Sequence, residues 1–161
     1  MVSQNDFFSE KELYCFDASS LINLRNFYPK DIFISLNKQF TDVLHSGKIC
    51  IINMVMEELK KDNKPELYDF IKGNISNNKI RKYESFIHIT QQIIKKHYDN
   101  KGKSHELKAD PHVIACAKEE QLTVVTDELG GGLTQIPHIC LIEKVNCISI
   151  VDFFRKEKIK S

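Results

Sequence analysis

No apolar run in the chain approaches the roughly 20 residues that a bilayer-spanning helix needs, which argues against a membrane span. The opening MVSQNDFFSEKEL has neither a basic leader nor an apolar stretch behind it, so no secretory signal is expected. The five cysteines, Cys15, Cys50, Cys116, Cys140 and Cys147, contain no CxxC pair and leave one unmatched, which speaks against a disulfide framework. Cys15, Cys50 and Cys147 sit inside apolar runs where thiols behave as small hydrophobes. Reduced core cysteines in a cytoplasmic protein are the expectation. The six histidines form no HxxxH or HxH pair, so the usual zinc-ligand spacing is missing. There is no internal repeat, low-complexity tract or convincing linker, and the net charge is only +1.

What is present suits one α/β domain. The 161 residues are 42% hydrophobic and 28% charged, a globular balance with length enough for one continuous core, about residues 13–158. Short apolar runs, mostly rich in β-branched residues, predict strands at Leu13 to Phe16, Lys48 to Asn53, Leu122 to Thr126 and Val145 to Ile150. Helical patterns fall between them: Ser19 to Tyr28, Asp31 to His45, Met54 to Lys61, Pro65 to Lys72, Lys82 to Tyr98, Asp110 to Gln121 and Val151 to Lys158. Asp99 to Leu107 and Gly130 to Gln135 carry the weakest patterns. The alternation predicts a three-layer α/β/α fold around a central parallel sheet of four to five strands.

Ligands of open α/β sheets bind beyond the carboxyl ends of the strands, so the residues that follow each strand carry the information. Asp17 and Ser19 follow the first strand. Glu57 and Glu58 follow the second, and Thr126, Asp127 and Glu128 the third. Asp110 opens the helix that leads into the third. Each acid also has an ordinary use. Asp17 and Asp110 are placed to cap helices, the latter before Pro111; Glu57 and Glu58 suit the start of a helix; Asp127 and Glu128 suit a turn. Convergence is the informative feature, because carboxylates held close together repel one another unless they share a cation. Hard oxygen ligands favour Mg²⁺ or Mn²⁺. Between Lys79 and Lys108 stand eight Lys and Arg against three acids, a basic stretch kept apart from most of these carboxylates.

These residues resemble the PIN domain family. Phe16-Asp17-Ala18-Ser19 matches its first motif and Val55-Met56-Glu57-Glu58-Leu59 its second. Ala109-Asp110-Pro111-His112-Val113-Ile114-Ala115 matches its third loosely. Thr126-Asp127-Glu128 stands at its fourth, with Glu128 where Asp is usual and Asp127 one place earlier. The order and spacing run from about Tyr14 to the final helix, and the chain is most similar to small stand-alone PIN proteins of the VapC toxin type.

The resemblance implies a metal-dependent endoribonuclease, the toxin of a toxin–antitoxin pair. Asp17 and Asp110 would bind Mg²⁺ or Mn²⁺ most directly, with Glu58 and Glu128, or Asp127, completing the site. Ser19 would hold a metal-bound water or a phosphate oxygen. Lys95, Lys96, Lys101 and Lys103 would contact RNA phosphates, and Tyr98 is a candidate for stacking on a base. The implied partners are RNA, an antitoxin protein and a second copy of the chain; no membrane is involved. A non-catalytic PIN-like binding module is the alternative. A haloacid-dehalogenase-like phosphatase is a weaker one, since it needs a second Asp where Ser19 stands.

Overall fold

The computed structural model describes residues 11–61, 65–98 and 108–161. Its strands are short and mostly apolar: β1 (Tyr14–Phe16), β2 (Ile49–Ile52), β3 (Ile80–Arg81), β4 (Thr123–Val125) and β5 (Cys147–Ile148). The helices among the described residues are α1 (Ala18–Phe27), α2 (Ile34–Ser46), α3 (Asn53–Lys61), α4 (Pro65–Asn74), α5 (Ile87–His97), α6 (Asp110–Glu120), α7 (Ile136–Glu143) and α8 (Ile150–Lys156). The five strands form one all-parallel sheet in the order β3-β2-β1-β4-β5. Helices cover both faces, so the architecture is the expected three-layer α/β/α sandwich.

Alternation along each strand divides the core. Tyr14 and Phe16 meet Phe153 of α8 edge-on at 4.9 Å, and Phe16 meets Phe40 of α2 at 5.9 Å. Between them in sequence, Cys15 points to the opposite face, which α6 covers. On that side α5 and α7 pack against α6; on the other, α8, α3 and α4 pack against α1. The apolar face of α2 packs into the core through Leu36, Phe40 and Leu44, while Gly47, in the left-handed region at φ 87°, ends the helix.

Two elements escape the sequence pattern. β3 is two residues long and too short to show a period. α7 is apolar on nearly all sides, with Ile136, Ile139 and Cys140 buried but Leu141 and Ile142 exposed, so it has no polar face to betray a helix. The helix expected over Lys82 to Tyr98 is divided, a 3₁₀ turn at Tyr83–Phe86 preceding α5. Gly130 to Gln135 is irregular, as expected, while Asp99 to Leu107 lies outside the described residues. No helix among the described residues is long and apolar enough to cross a membrane.

Candidate acidic site at the carboxyl ends of the strands

The chain runs outward from β1 to β2 and β3, then returns to lay β4 on the other side of β1. The strand order therefore reverses between β1 and β4, the place at the carboxyl edge where open α/β sheets bind ligands. Asp17 is the first residue beyond β1. Its N–H donates to the Val125 carbonyl at 2.9 Å, extending the ladder by one step. Its backbone forms the N-cap of α1, yet its carboxylate makes no capping hydrogen bond. Instead, carboxylate Oδ2 accepts from Ser19 Oγ at 2.7 Å and from Thr126 Oγ1 at 2.9 Å. Ser20 Oγ reaches the carbonyls of Asp17 and Val125 at 2.8 and 3.0 Å, tying β1 to β4 below. A 2% exposed carboxylate is thus held in one orientation by two hydroxyls.

Asp110 does not cap α6 either. The helix starts at Asp110 itself with Ala109 at the N-cap position, and the Ala109 N–H donates to Glu58 Oε1 at 3.2 Å. That bond links α3 to the start of α6. Burial, then the negative charges of Asp17, Glu128 and Glu58, push the Asp110 carboxyl up to about 7; Lys108 opposes them. Burial also raises Glu128, helped by the charge of Asp17 and opposed by hydrogen bonds from the Ile136 N–H and Asp110. Asp17, Glu58, Asp110 and Glu128 therefore share one rim. Three helix N-termini, those of α1, α6 and α7, lie beside it and partly offset the mutual repulsion.

Asp127 is not part of this group. Its Oδ2 accepts from Asn23 at 2.9 Å and its Oδ1 from the Ile150 N–H at 2.8 Å, so it fastens α1 and α8 to the end of β4. Glu57 is exposed, leaving Glu58 as the α3 acid that reaches the rim. Ser19 is occupied in positioning: besides its bond to Asp17, it accepts the Asp127 N–H at 3.0 Å. Thr126, to which the motifs assign no role, links two of the acids. Its hydroxyl donates to Asp17 and accepts the Glu128 N–H at 3.2 Å. A hydroxyl residue directly after β4, beside the strand that carries Asp17, is the signal in the sequence that could have found it.

The rim is wider than a closed metal cage. Among the described residues, the trios of metal-ligating side chains that come within 4.8 Å are Cys15–Cys50–Cys116 and Glu12–Cys50–Glu120. An ion at this rim could be held only by one or two carboxylates and several waters, as Mg²⁺ commonly is, and none of the ion pairs among the described residues takes up Asp17, Asp110 or Glu128.

The basic stretch does not act as one surface. Lys79 and Arg81 pair with Glu12 and, for Arg81, Glu120, at the opposite edge of the sheet. Lys96 lies 3.6 Å from Glu143 but is 58% exposed, and Lys95 is exposed. Lys101 and Lys103 lie outside the described residues. Tyr98, only 3% exposed, has no ring face to offer a base. Its hydroxyl donates to the Thr134 carbonyl at 3.2 Å, and burial followed by the charges of Asp110 and Glu128 holds its proton on. His112 is fully buried against Thr90 and Tyr83, a structural position.

The fold is similar to that in the crystal structure of PAE2754 from Pyrobaculum aerophilum. The two share 12% identity over 95% of this chain and 94% of the other, with a TM-score of 0.54. That likeness concerns the fold alone. No curated protein matches the chain. The family model described as Domain of unknown function (DUF4411) matches residues 14–161, and the chain belongs to that family.

Proposed function

We propose that this protein is a Mg²⁺- or Mn²⁺-dependent endoribonuclease whose acidic rim is its active site. The observation that carries the reading is the convergence of Asp17, Glu58, Asp110 and Glu128 at the reversal of strand order, where burial and mutual charge push the Asp110 carboxyl to about 7. Such a cluster is unfavourable for the folded chain alone and becomes favourable when a divalent cation is shared. The resemblance of these positions to the PIN domain motifs supplies the substrate class.

Asp17 and Asp110 would hold the ion, with Glu58 and Glu128 reaching it directly or through water. A bound ion would lower the pKa of an attacking water and neutralise charge on the phosphate. The chain's own residues orient the site. Ser19 and Thr126 fix Asp17 through Oδ2, and Thr126 also holds the backbone at Glu128. The Ala109 N–H holds Glu58, and the Ile136 N–H holds Glu128 at 2.8 Å. Lys108, beside Asp110, and exposed Lys95 are cations suited to a polyanion passing over the rim. A toxin role, with an antitoxin protein covering the acidic rim, belongs to the same reading and rests on the resemblance.

The test is cleavage of a mixed RNA pool by the purified protein, with Mg²⁺ or Mn²⁺ and with chelator. Activity should require the ion and vanish in Asp17→Asn/Asp110→Asn, which keeps the shape of both side chains. Equal cleavage by the double variant would discard the site. RNA binding without cleavage in any ion would instead identify a non-catalytic binding module.

A further inference from the structure

A second cluster lies beneath the sheet face that α6 covers. Cys15 and Cys50 are register partners on adjacent parallel strands, so their side chains leave the same face. α6 sets Cys116 over them, and all three residues are fully buried. Their sulfurs lie within 4.8 Å of one another. Thiolates bound tetrahedrally to zinc at about 2.3 Å stand about 3.8 Å apart, so each pair needs to close by about 1 Å at most.

The cluster also lies next to a cavity. The Cys50 sulfur lies within 4.8 Å of carboxylate oxygens of Glu12 and Glu120. With Lys11, Lys79, Arg81 and Leu122, these two acids line a cavity of about 240 Å³ at the amino-terminal edge of the sheet, opposite the acidic rim. A cation entering there meets hard oxygens first and soft sulfur next.

We propose that Cys15, Cys50 and Cys116 form a zinc site, entered through this cavity, with Glu12 or Glu120 completing the fourth position. Three thiolates and a carboxylate around Zn²⁺ leave two negative charges. Lys79 and Arg81 stand beside them, and Arg81 Nε is a buried donor without a partner among the described residues. Binding releases the protons still held by the thiols, so affinity rises with pH. The ion would staple β1, β2 and α6 from within, stabilising the scaffold that carries Asp17 and Asp110. The two edges of the sheet would then prefer different metals, because thiolates select soft ions and carboxylates hard ones.

The test uses the reduced full-length protein and cobalt(II) as an optical stand-in for zinc. Only sulfur ligation gives the thiolate-to-cobalt charge-transfer band, so ions at the acidic rim cannot mimic it. The expected result is one cobalt per chain with that band, displaced by one equivalent of zinc, intact in Cys140→Ala and absent in Cys116→Ala. Glu12→Gln and Glu120→Gln leave the trio in place and serve if Cys116→Ala does not fold. One of the two should weaken zinc binding about tenfold or more. A parent protein without the band, a band that survives Cys116→Ala, or zinc affinity indifferent to both glutamine variants would overturn the proposal.

Discussion

Asp110 holds a proton in the folded chain over a range in which the unfolded chain has lost it, between its ordinary value of 3.8 and about 7. A carboxyl raised in this way costs nothing at low pH, and its penalty grows as pH rises through that window. Allowing for partial exposure, the full penalty is on the order of 1–3 kcal/mol. The metal-free protein should therefore melt progressively lower between about pH 4 and about pH 7. Asp110→Asn should flatten that slope, and millimolar Mg²⁺ should restore the parent at the alkaline end. Glu12 and Glu143, held low by neighbouring cations despite burial, act in the opposite sense but only near and below their ordinary 4.5. A parent melting temperature that climbs across the window would contradict this account of Asp110. Thr126→Val tests the positioning network. It removes the donor to Asp17 and the acceptor for Glu128, and should cost about 1–2 kcal/mol of stability. Manganese affinity, measured by calorimetry, should drop about tenfold.

At the level of elements, the loop after β4 separates two acids that adjoin in sequence. Asp127 joins α1 to α8, whereas Glu128 turns to the rim and caps α7. Asp127→Asn keeps a capping oxygen and should leave nuclease activity within a few-fold of the parent, while Glu128→Gln should lower it by about ten- to a hundredfold. The reverse ranking would reassign the fourth acid. Ser149 caps α8 by accepting the Asp152 N–H at 3.1 Å, so Ser149→Ala should cost about 1 kcal/mol in denaturant unfolding without touching activity. The strands around Cys15, Cys50 and Val124 are legible in the sequence because residues buried on both faces read as apolar runs. β3 and α7 are not: one is held by a single neighbouring strand, and the other lacks a polar face. Asp17 and Asp110 are equally suited by sequence to a capping role, and their side chains prove to be used otherwise.

Across the whole molecule, charge is sorted by edge. The carboxyl ends of the strands gather acids, and the amino ends gather the Glu12, Lys79, Arg81 and Glu120 network. An RNA crossing the acidic rim would therefore depend on Lys108 beside it and on exposed cations farther along α5, Lys95 and Lys96. Changing Lys95 and Lys96 to Glu should weaken RNA binding and reduce its salt slope by about 0.7 for each phosphate no longer neutralised. An unchanged slope would remove these lysines from the binding surface. In cells, the proposed activity predicts growth arrest on expression, relieved in Asp17→Asn/Asp110→Asn.

The sequence alone determined the alternation of buried strands and amphipathic helices, and with it the parallel three-layer plan, because the period of apolar residues is a local property. It also marked the acids, since residues that follow strands in such a plan must lie at one edge. The tertiary structure decided which acids meet. Asp17, Glu58, Asp110 and Glu128 become neighbours only when β4 inserts beside β1, and hydrogen bonds from Asn23 and Ile150 withdraw Asp127 from them. The cysteine trio was decided in the same way. Cys15, Cys50 and Cys116 are far apart in the chain, and it is strand register together with the seat of α6 that brings their sulfurs within reach of one another.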